Sequence, residues 1–439
     1  MPTTRVEAKT LPNGQPMTQY RLDNGLDLYV IENHSAPVFT YQSWFRVGSK
    51  DEKLDSKIQA TGLAHLFEHM MFRGTSTHPD GEFDEILTEN GVNDENATTW
   101  YDRTNYYQSL PADRLELAMQ LESDRMVNLV IDDNLLETEK GAVLGELHQG
   151  FDEPDSVAYD KLFEVAFTTH PYRYTTIGTE SEIKAFTPES ARYFYKKYYS
   201  PGNCFLIVAG DVKPENVLAL LEKYYGAIPR QKIERVVAPA EPPQKKELKV
   251  QFEHPQLQQL KVLIGYRTPE VTHEDFPALR VLESLLMRGQ GALLNLMWVN
   301  RGIAVEVGGE MTRFRDPGLF VIGTDLQEGH SIDELRASLD GEVRDFLSGD
   351  PKRLEFSRAV ERARNQLLLG ICLNWNENSA LASFMGEYEI AAGDLCFGFK
   401  LVEALKKVTG ADVARVAKKY LTKENRTIVV GSPLQGGGS

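Results

Sequence analysis

Thr61–Thr75, TGLAHLFEHMMFRGT, sets two imidazoles four residues apart with a carboxylate immediately before the second. Leu63, Phe67, Met70 and Met71 supply apolar positions at helical spacing, no proline interrupts, and Gly74 reads as a C-terminal stop. His65, Glu68, His69 and Phe72 then form one stripe at i, i+3, i+4 and i+7, so both histidines can reach one metal ion while Glu68 stands beside it. Either histidine alone reads as a satisfied side chain on a half-buried helix. The pair, with Glu68 between, points to a metal.

The order H-x-x-E-H inverts the commoner zinc-peptidase order H-E-x-x-H. A catalytic zinc takes three protein ligands and keeps a fourth position open, so a third donor is expected elsewhere in the chain. Asp132-Asp133-Asn134 reads as a helix start, with Leu135, Leu136, Val143 and Leu147 giving the apolar spacing after it. Glu139 and Glu146 lie about two turns apart on that helix and point the same way. Taken by themselves they read as a solvated face.

Together with the histidine motif, the segment Glu137–Leu147, ETEKGAVLGEL, resembles the second half of the zinc site in the pitrilysin, insulin-degrading enzyme and mitochondrial processing peptidase family. The resemblance implies a zinc ion held by His65, His69 and Glu146, one per chain, with Glu139 assisting from close by. Asn93–Pro111, NDENATTWYDRTNYYQSLP, is similar to the family's strand and loop in which an Asn-Ala pair, here Asn96-Ala97, borders the substrate cleft. An edge strand there has free N–H and C=O groups that can pair with an extended peptide. Phe72 matches a family position lining the pocket just after the scissile bond. Without the resemblance it would read as a core aromatic.

At 439 residues the chain is too long for one core and suits two domains of about 200 residues each. A formal charge of -16 and a pI near 5.2, with no basic stripe, argue against a nucleic-acid partner. No apolar run approaches the ~20 residues of a membrane span. The opening MPTTRVEAKT has neither the charged nor the apolar region of an export signal, which leads to an expectation of a cytoplasmic protein. The glycine-rich tail Gln435–Ser439 reads as an appended segment, and a processed start would leave a periplasmic location open. Cys204, Cys372 and Cys396 are scattered and odd in number, so no disulfide framework is expected.

The chain also echoes itself. Thr187–Val208 and Thr409–Val430 match without gaps at Thr187/Thr409, Lys196-Lys197-Tyr198/Lys418-Lys419-Tyr420 and Asn203/Asn425, and each reads as helix, turn and buried strand. Between the halves, Gln231–Glu247 carries Pro239, Pro242 and Pro243 among charged residues, the composition of a linker. The expected division is a zinc-bearing domain over 1–230, a linker over 231–247 and a homologous domain over 248–439. Leu22-Asp-Asn-Gly-Leu26 signals a hairpin before Leu28–Ile31, Val38–Val47 reads as a strand, Gln259–Tyr266 repeats the theme, and Pro277–Met287 reads as helix. Strand runs beside helix runs favour α+β layers, an antiparallel sheet plus helices in each domain. In the resembling family two such homologous domains form half of a clamshell, with zinc on the first, and this chain looks like a half-length, bacterial-type zinc-bearing subunit.

One departure stands out in the second half. Many members of the resembling family present an arginine and, seven residues on, a tyrosine that contact the substrate carbonyl. In Leu294–Val305, LNLMWVNRGIAV, these positions hold Trp298 and Val305, while Arg301 sits elsewhere in the motif. Neither replacement can donate to an oxyanion as an Arg/Tyr pair does. The resemblance therefore implies a homologous partner subunit that supplies the pair, a heterodimer, with a homodimer as the alternative. The chemistry expected is peptide-bond hydrolysis in short or unfolded polypeptides, with Glu68 taking the proton of the zinc-bound water. A non-catalytic interaction subunit and a zinc hydrolase of a non-peptide substrate are the rival classes. The former usually loses motif residues, and the peptide-pairing strand at Asn96 argues against the latter.

Overall fold

The computed structural model describes residues 3–58, 60–231, 233–348 and 354–434, so the tail Gln435–Ser439 lies outside the described residues. Two sheets carry the fold. The first comprises β1 (Thr3–Thr10), β2 (Pro16–Leu22), β3 (Asp27–Glu32), β4 (Val38–Phe45), β5 (Asn93–Thr99), β6 (Thr104–Pro111) and β7 (Cys204–Gly210), in the order β1-β2-β3-β7-β4-β6-β5. The second comprises β8 (Leu248–His254), β9 (Lys261–Thr268), β10 (Ala304–Met311), β11 (Gly318–Leu326) and β12 (Arg426–Pro433), in the order β10-β11-β9-β12-β8. All pairs are antiparallel except β3 with β7 and β12 with β8. The expected antiparallel sheets are present, each with one parallel pair. β7 and β12 return after long helical excursions, which is the connection a parallel pair requires.

Local signals act as read. Asn24 and Gly25 turn β2 into β3, with Gly25 at φ 92 and its N–H donating to the Leu22 carbonyl at 2.9 Å. The Pro277–Met287 helix begins one residue earlier, at Phe276. Gly74 does not end the motif helix, which spans Leu63–Met70 with Met71 as its cap. A Cβ on Gly74 would lie 2.5 Å from the Asp80 amide, so glycine is needed there for close backbone approach.

Two compact units form, and they do not follow a single cut in the chain. One contains residues 1–147, 174–238 and 374–390, and the other 148–173, 239–373 and 391–439. The division into 1–230 and 248–439 is corrected in two places, and packing gives the reason. In the first unit, the helical segment 374–390 lies against β4: Gln42 Nε2 donates to the Ser379 carbonyl at 3.1 Å, and Arg46 pairs with Glu389 at 2.8 Å. A Cβ on Gly386 would fall 2.3 Å from the Trp44 ring, so only glycine lets the indole lie flat there. In the second unit, the Pro154–Ala166 helix covers the sheet, with Leu162 so close to Gly265 that a Cβ would be 2.9 Å away. Part of the proline-rich linker is anchored in this unit too. Glu241 accepts hydrogen bonds from the amides of Thr168, Thr169 and His170 at 2.8–2.9 Å, which a free tether would not do. No helix among the described residues is long and apolar enough to cross a membrane.

The sequence echo is a structural one. The order β3-β7-β4-β6-β5 in the first sheet corresponds to β8-β12-β9-β11-β10 in the second. Thr187 and Thr409 both close capping boxes at the starts of equivalent helices. Lys197 and Tyr198 bind buried Asp55 at 2.6 and 3.1 Å, and Lys419 and Tyr420 bind buried Asp275 at 2.7 and 2.8 Å. Asn203 and Asn425 donate to the carbonyls of Tyr198 and Tyr420 at 3.0 and 2.8 Å. The matched residues are therefore the buried hydrogen-bond set of one repeated unit.

Burial opposes charge on Asp275, but Lys419, Arg415 and Tyr420 outweigh it and hold the carboxyl down at about 2. A lowered native pKa adds stability that is present above the unfolded value of about 3.9 and is lost as the pH falls toward 2. Asp275→Asn is expected to lower unfolding free energy at pH 7 by about 2–3 kcal/mol, the scale of hydrogen bonds to a buried charge. Denaturant titration of wild type and variant at pH 7 and pH 3 checks it: the difference should shrink at the lower pH.

Candidate metal centre

The Leu63–Met70 helix buries Leu63, Ala64, Leu66, Phe67 and Met70 and turns its polar stripe outward. The stripe meets the Asp133–Asp152 helix, whose start is capped by Asp132 Oδ1 accepting from the Leu135 amide at 2.9 Å. His65 Nε2 lies 3.4 Å from one Glu146 oxygen and His69 Nε2 lies 3.4 Å from the other. One donor atom from each of the three residues falls within 4.8 Å of the others. Such spacings are too long for charge-assisted hydrogen bonds, which run about 2.7–2.9 Å. They bring one donor atom from each residue close enough to be shared by a single metal ion. Glu146 is 47% exposed, which leaves the position open to solvent.

Glu139 does not lie on a solvated face. Its side chain is 2% exposed, one oxygen lies 3.5 Å from His69 Nδ1, and the other accepts from Arg73 Nε at 2.6 Å. It thus stands behind His69, in the arrangement that fixes a ligand's tautomer and ring orientation. Burial opposes its charge, but His69 and Arg73 keep its carboxyl below the ordinary range. For His69 burial works against the cation, yet Glu139, Glu146 and Glu68 raise it. His65 goes the other way: burial and neighbouring His69 push it down to about 4, leaving the ring neutral at pH 7 and its Nε2 available as a donor. His65 Nδ1 is buried without a hydrogen-bond partner. Glu68 is half-buried, and burial raises its carboxyl against the pull of Thr99, His69 and Arg103. A carboxylate with raised affinity for a proton beside a metal site is suited to general base work.

β5 is the edge of the first sheet and pairs only with β6 among the described strands. Asn96 is exposed there, and its side-chain oxygen accepts the Ala97 N–H at 2.8 Å. The Ala97 side chain is buried. A bulge with Asp94 at φ 60 interrupts the ladder just before Asn96. Phe72 lies just past the helix, half-buried against Tyr106 at 6.2 Å and under the Arg125 guanidinium at 5.6 Å. In the second unit Trp298 is fully buried and donates its indole N–H to Ser338 at 2.9 Å, while Val305 is 42% exposed on edge strand β10.

Two residues escaped the sequence reading. Arg73 follows His69 by four positions, so helical spacing could have placed it beside Glu139. Glu52 is fully buried and accepts the amides of Gly62 at 2.8 Å and Ala64 at 2.6 Å, and nothing in the surrounding SKDEKL marks it. Zinc titration is expected to saturate at about one ion per chain, and Glu146→Gln to weaken binding by more than ~100-fold with an unchanged circular dichroism spectrum. Full occupancy in that variant under the same chelator would remove Glu146 from the ligand set.

Comparison with known proteins accords with this geometry. A family model described as insulinase (peptidase family M16) matches residues 28–180, and one described as the peptidase M16 inactive domain matches 185–363. His65, Glu68, His69, Glu139 and Glu146 all fall within the first. The chain is 24% identical to the zinc protease PqqE of Helicobacter pylori, covering 96% of this chain and 94% of that protein. It is 25% identical to a probable mitochondrial-processing peptidase subunit beta of Arabidopsis thaliana, over 94% of this chain and 78% of the relative. Among solved structures, a protease from Helicobacter pylori superposes with a TM-score of 0.87 at 23% identity, covering 95% of this chain and 99% of that one. The periplasmic protease PqqL from Escherichia coli superposes with a TM-score of 0.75 at 18% identity, over 98% of this chain but 48% of its own length. With both of its domain models matched in order along one chain, this protein belongs to peptidase family M16, the insulinase family.

Proposed function

We propose that this protein is a zinc metalloendopeptidase acting on short or unfolded polypeptides. The observation that carries the reading is the convergence of His65, His69 and Glu146, with donor atoms within 4.8 Å of one another and Glu68 on the same helix stripe as the histidines. The zinc protease names of the relatives support the choice of metal. His65, His69 and Glu146 would hold a zinc ion, which would supply Lewis acidity at this place. Glu68, beside the two histidines, would act as the general base and would later return the proton to the departing amine, a role worth about 10²–10⁴-fold. Glu139, backed by Arg73, holds the His69 ring while this happens. An extended peptide pairs with the free edge of β5 from Asn96 onward, with Phe72 beside the residue that follows the scissile bond. Peptides that are already unfolded suit such an edge, because pairing needs their own backbone groups unengaged.

The Glu68→Gln variant keeps the shape of the side chain and removes its basicity. It is expected to bind zinc as wild type does while kcat on an unstructured peptide falls by about 10³-fold. Retained turnover would transfer the base role elsewhere.

The proposed enzyme works with a homologous subunit. Trp298 is committed to its own core and the Val305 side chain is apolar, so neither position offers the cation or the phenol of an Arg/Tyr pair. That the chain spans 48% of PqqL supports the idea that two such lengths make a complete unit. A second reading, a binding subunit without turnover, draws on the inactive-domain match over 185–363. Isolated chain and chain mixed with a homologous subunit bearing the Arg/Tyr pair are to be assayed on one long peptide. Activity should rise at least ~100-fold on mixing, the scale of one oxyanion donor. Full activity of the isolated chain would end the partner proposal, and none in any mixture with zinc bound would favour the second reading.

A further inference from the structure

The two candidate metal-binding histidines are supported by different means. His69, in the last turn of the Leu63–Met70 helix, has Glu139 behind its Nδ1, and Glu139 is fixed in turn by Arg73. His65, in the first turn, has no hydrogen-bond partner at Nδ1. With no hydrogen bond there, its ring direction depends on packing against the His69 ring, 4.9 Å away, and on the backbone that carries it. The first turn is the weakest part of a short helix, because its amides lack intrahelical acceptors. Here the N-terminal cap is Gly62, which has no side chain to supply one. Glu52 supplies it from another helix, one oxygen on the Gly62 amide at 2.8 Å and the other on the Ala64 amide at 2.6 Å.

Glu52 is itself well fixed. It lies fully buried on the Ser49–Leu54 helix, whose Lys50 pairs with buried Asp102 at 2.5 Å and whose Lys53 pairs with Glu182 at 2.5 Å. Glu182 also accepts the hydroxyl of Thr61, just before the motif helix. Next to it, Gly62 and Gly178 press their backbones together: a Cβ on either would come within 2.4 Å of a carbonyl oxygen of the other segment. The peptide entering His65 is thus held at the Gly62 and Ala64 amides by one carboxyl group. We infer that Glu52 is the positioning residue for His65, doing through the backbone what Glu139 does for His69 through a side chain. The inference rests on the zinc reading of the site. It assigns Glu52 no contact with metal or substrate.

Glu52→Gln forces an amide NH2 against one of the two N–H groups and should tilt the first turn without emptying the space. Zinc affinity by chelator competition is expected to fall about 10–100-fold, the range seen when an orienting residue of a metal site is lost. The visible spectrum of the cobalt-substituted protein should shift, reporting altered ligand geometry. Glu122→Gln is the comparison: Glu122 is another buried carboxylate of the same unit, bound to Ser43, Gln108 and Arg125. It should lower the unfolding midpoint and leave zinc affinity and the cobalt spectrum as in wild type. Were Glu52→Gln not to fold, Glu52→Asp, one methylene shorter, takes its place with the same expectations. Wild type that binds no zinc would defeat the metal-centre reading itself. Wild type that binds zinc, with Glu52 variants matching it or losing affinity only in step with stability as Glu122→Gln does, would overturn the role of Glu52 alone.

Discussion

An eight-residue helix does not hold itself together in water, because the nucleation cost is not repaid over two turns. Everything at the candidate metal centre depends on how Leu63–Met70 is clamped from outside. Glu52 takes its first amides, and the Tyr106 hydroxyl donates to the Phe67 carbonyl at 2.8 Å. Its apolar side is buried completely, with Phe67 stacked on Phe194 at 5.2 Å and close to parallel with Tyr195. Only with the backbone fixed in this way do two imidazoles four residues apart stay aimed at one carboxylate on another helix.

The electrostatics follow from the same clamping. Burial drives His65 toward the neutral ring a metal needs, while the acids around His69 raise it. Two neighbouring histidines are therefore not equivalent, although the sequence presents them as a symmetric pair. Arg73 offsets part of the negative charge that Glu68, Glu139 and Glu146 concentrate in one place. The acidic balance of the whole chain, -16, has no bearing on this, since local partners set each group.

The candidate metal set could be picked out because its pattern is local. Two histidines and a glutamate within five residues announce a helix stripe, and Glu139 and Glu146 share a helical period. The repeat was legible because Lys, Tyr and Asn satisfy the same buried groups in each copy. What stayed hidden came from distant parts of the chain. Glu52 caps a helix ten residues downstream that gives no sign of wanting a remote cap, and Gly62 shows only an absent side chain. The crossing of segments 148–173 and 374–390 between the compact units leaves no local mark, since an amphipathic helix does not say which sheet it will cover. Gly386 is the one retrospective clue: a mid-helix glycine is unfavourable unless something, here Trp44, lies where its Cβ would be.

The two copies keep some residues in common and differ at others. Asp55 and Asp275, Lys197 and Lys419, Tyr198 and Tyr420, and Asn203 and Asn425 keep their bonds, because losing one partner strands a buried polar group whatever the unit does. The matched helices diverge on the side facing inward. Phe194, Tyr195 and Tyr199, which wall in Phe67 of the motif helix, have Val416, Ala417 and Leu421 at the same places in the second copy. Aromatic rings supply a rigid, broad support with few rotamers to freeze, and the copy that carries the histidines is the one that has them. The divergence therefore reaches beyond the candidate metal-binding residues to the packing behind them, which is what a site depending on an externally clamped helix requires.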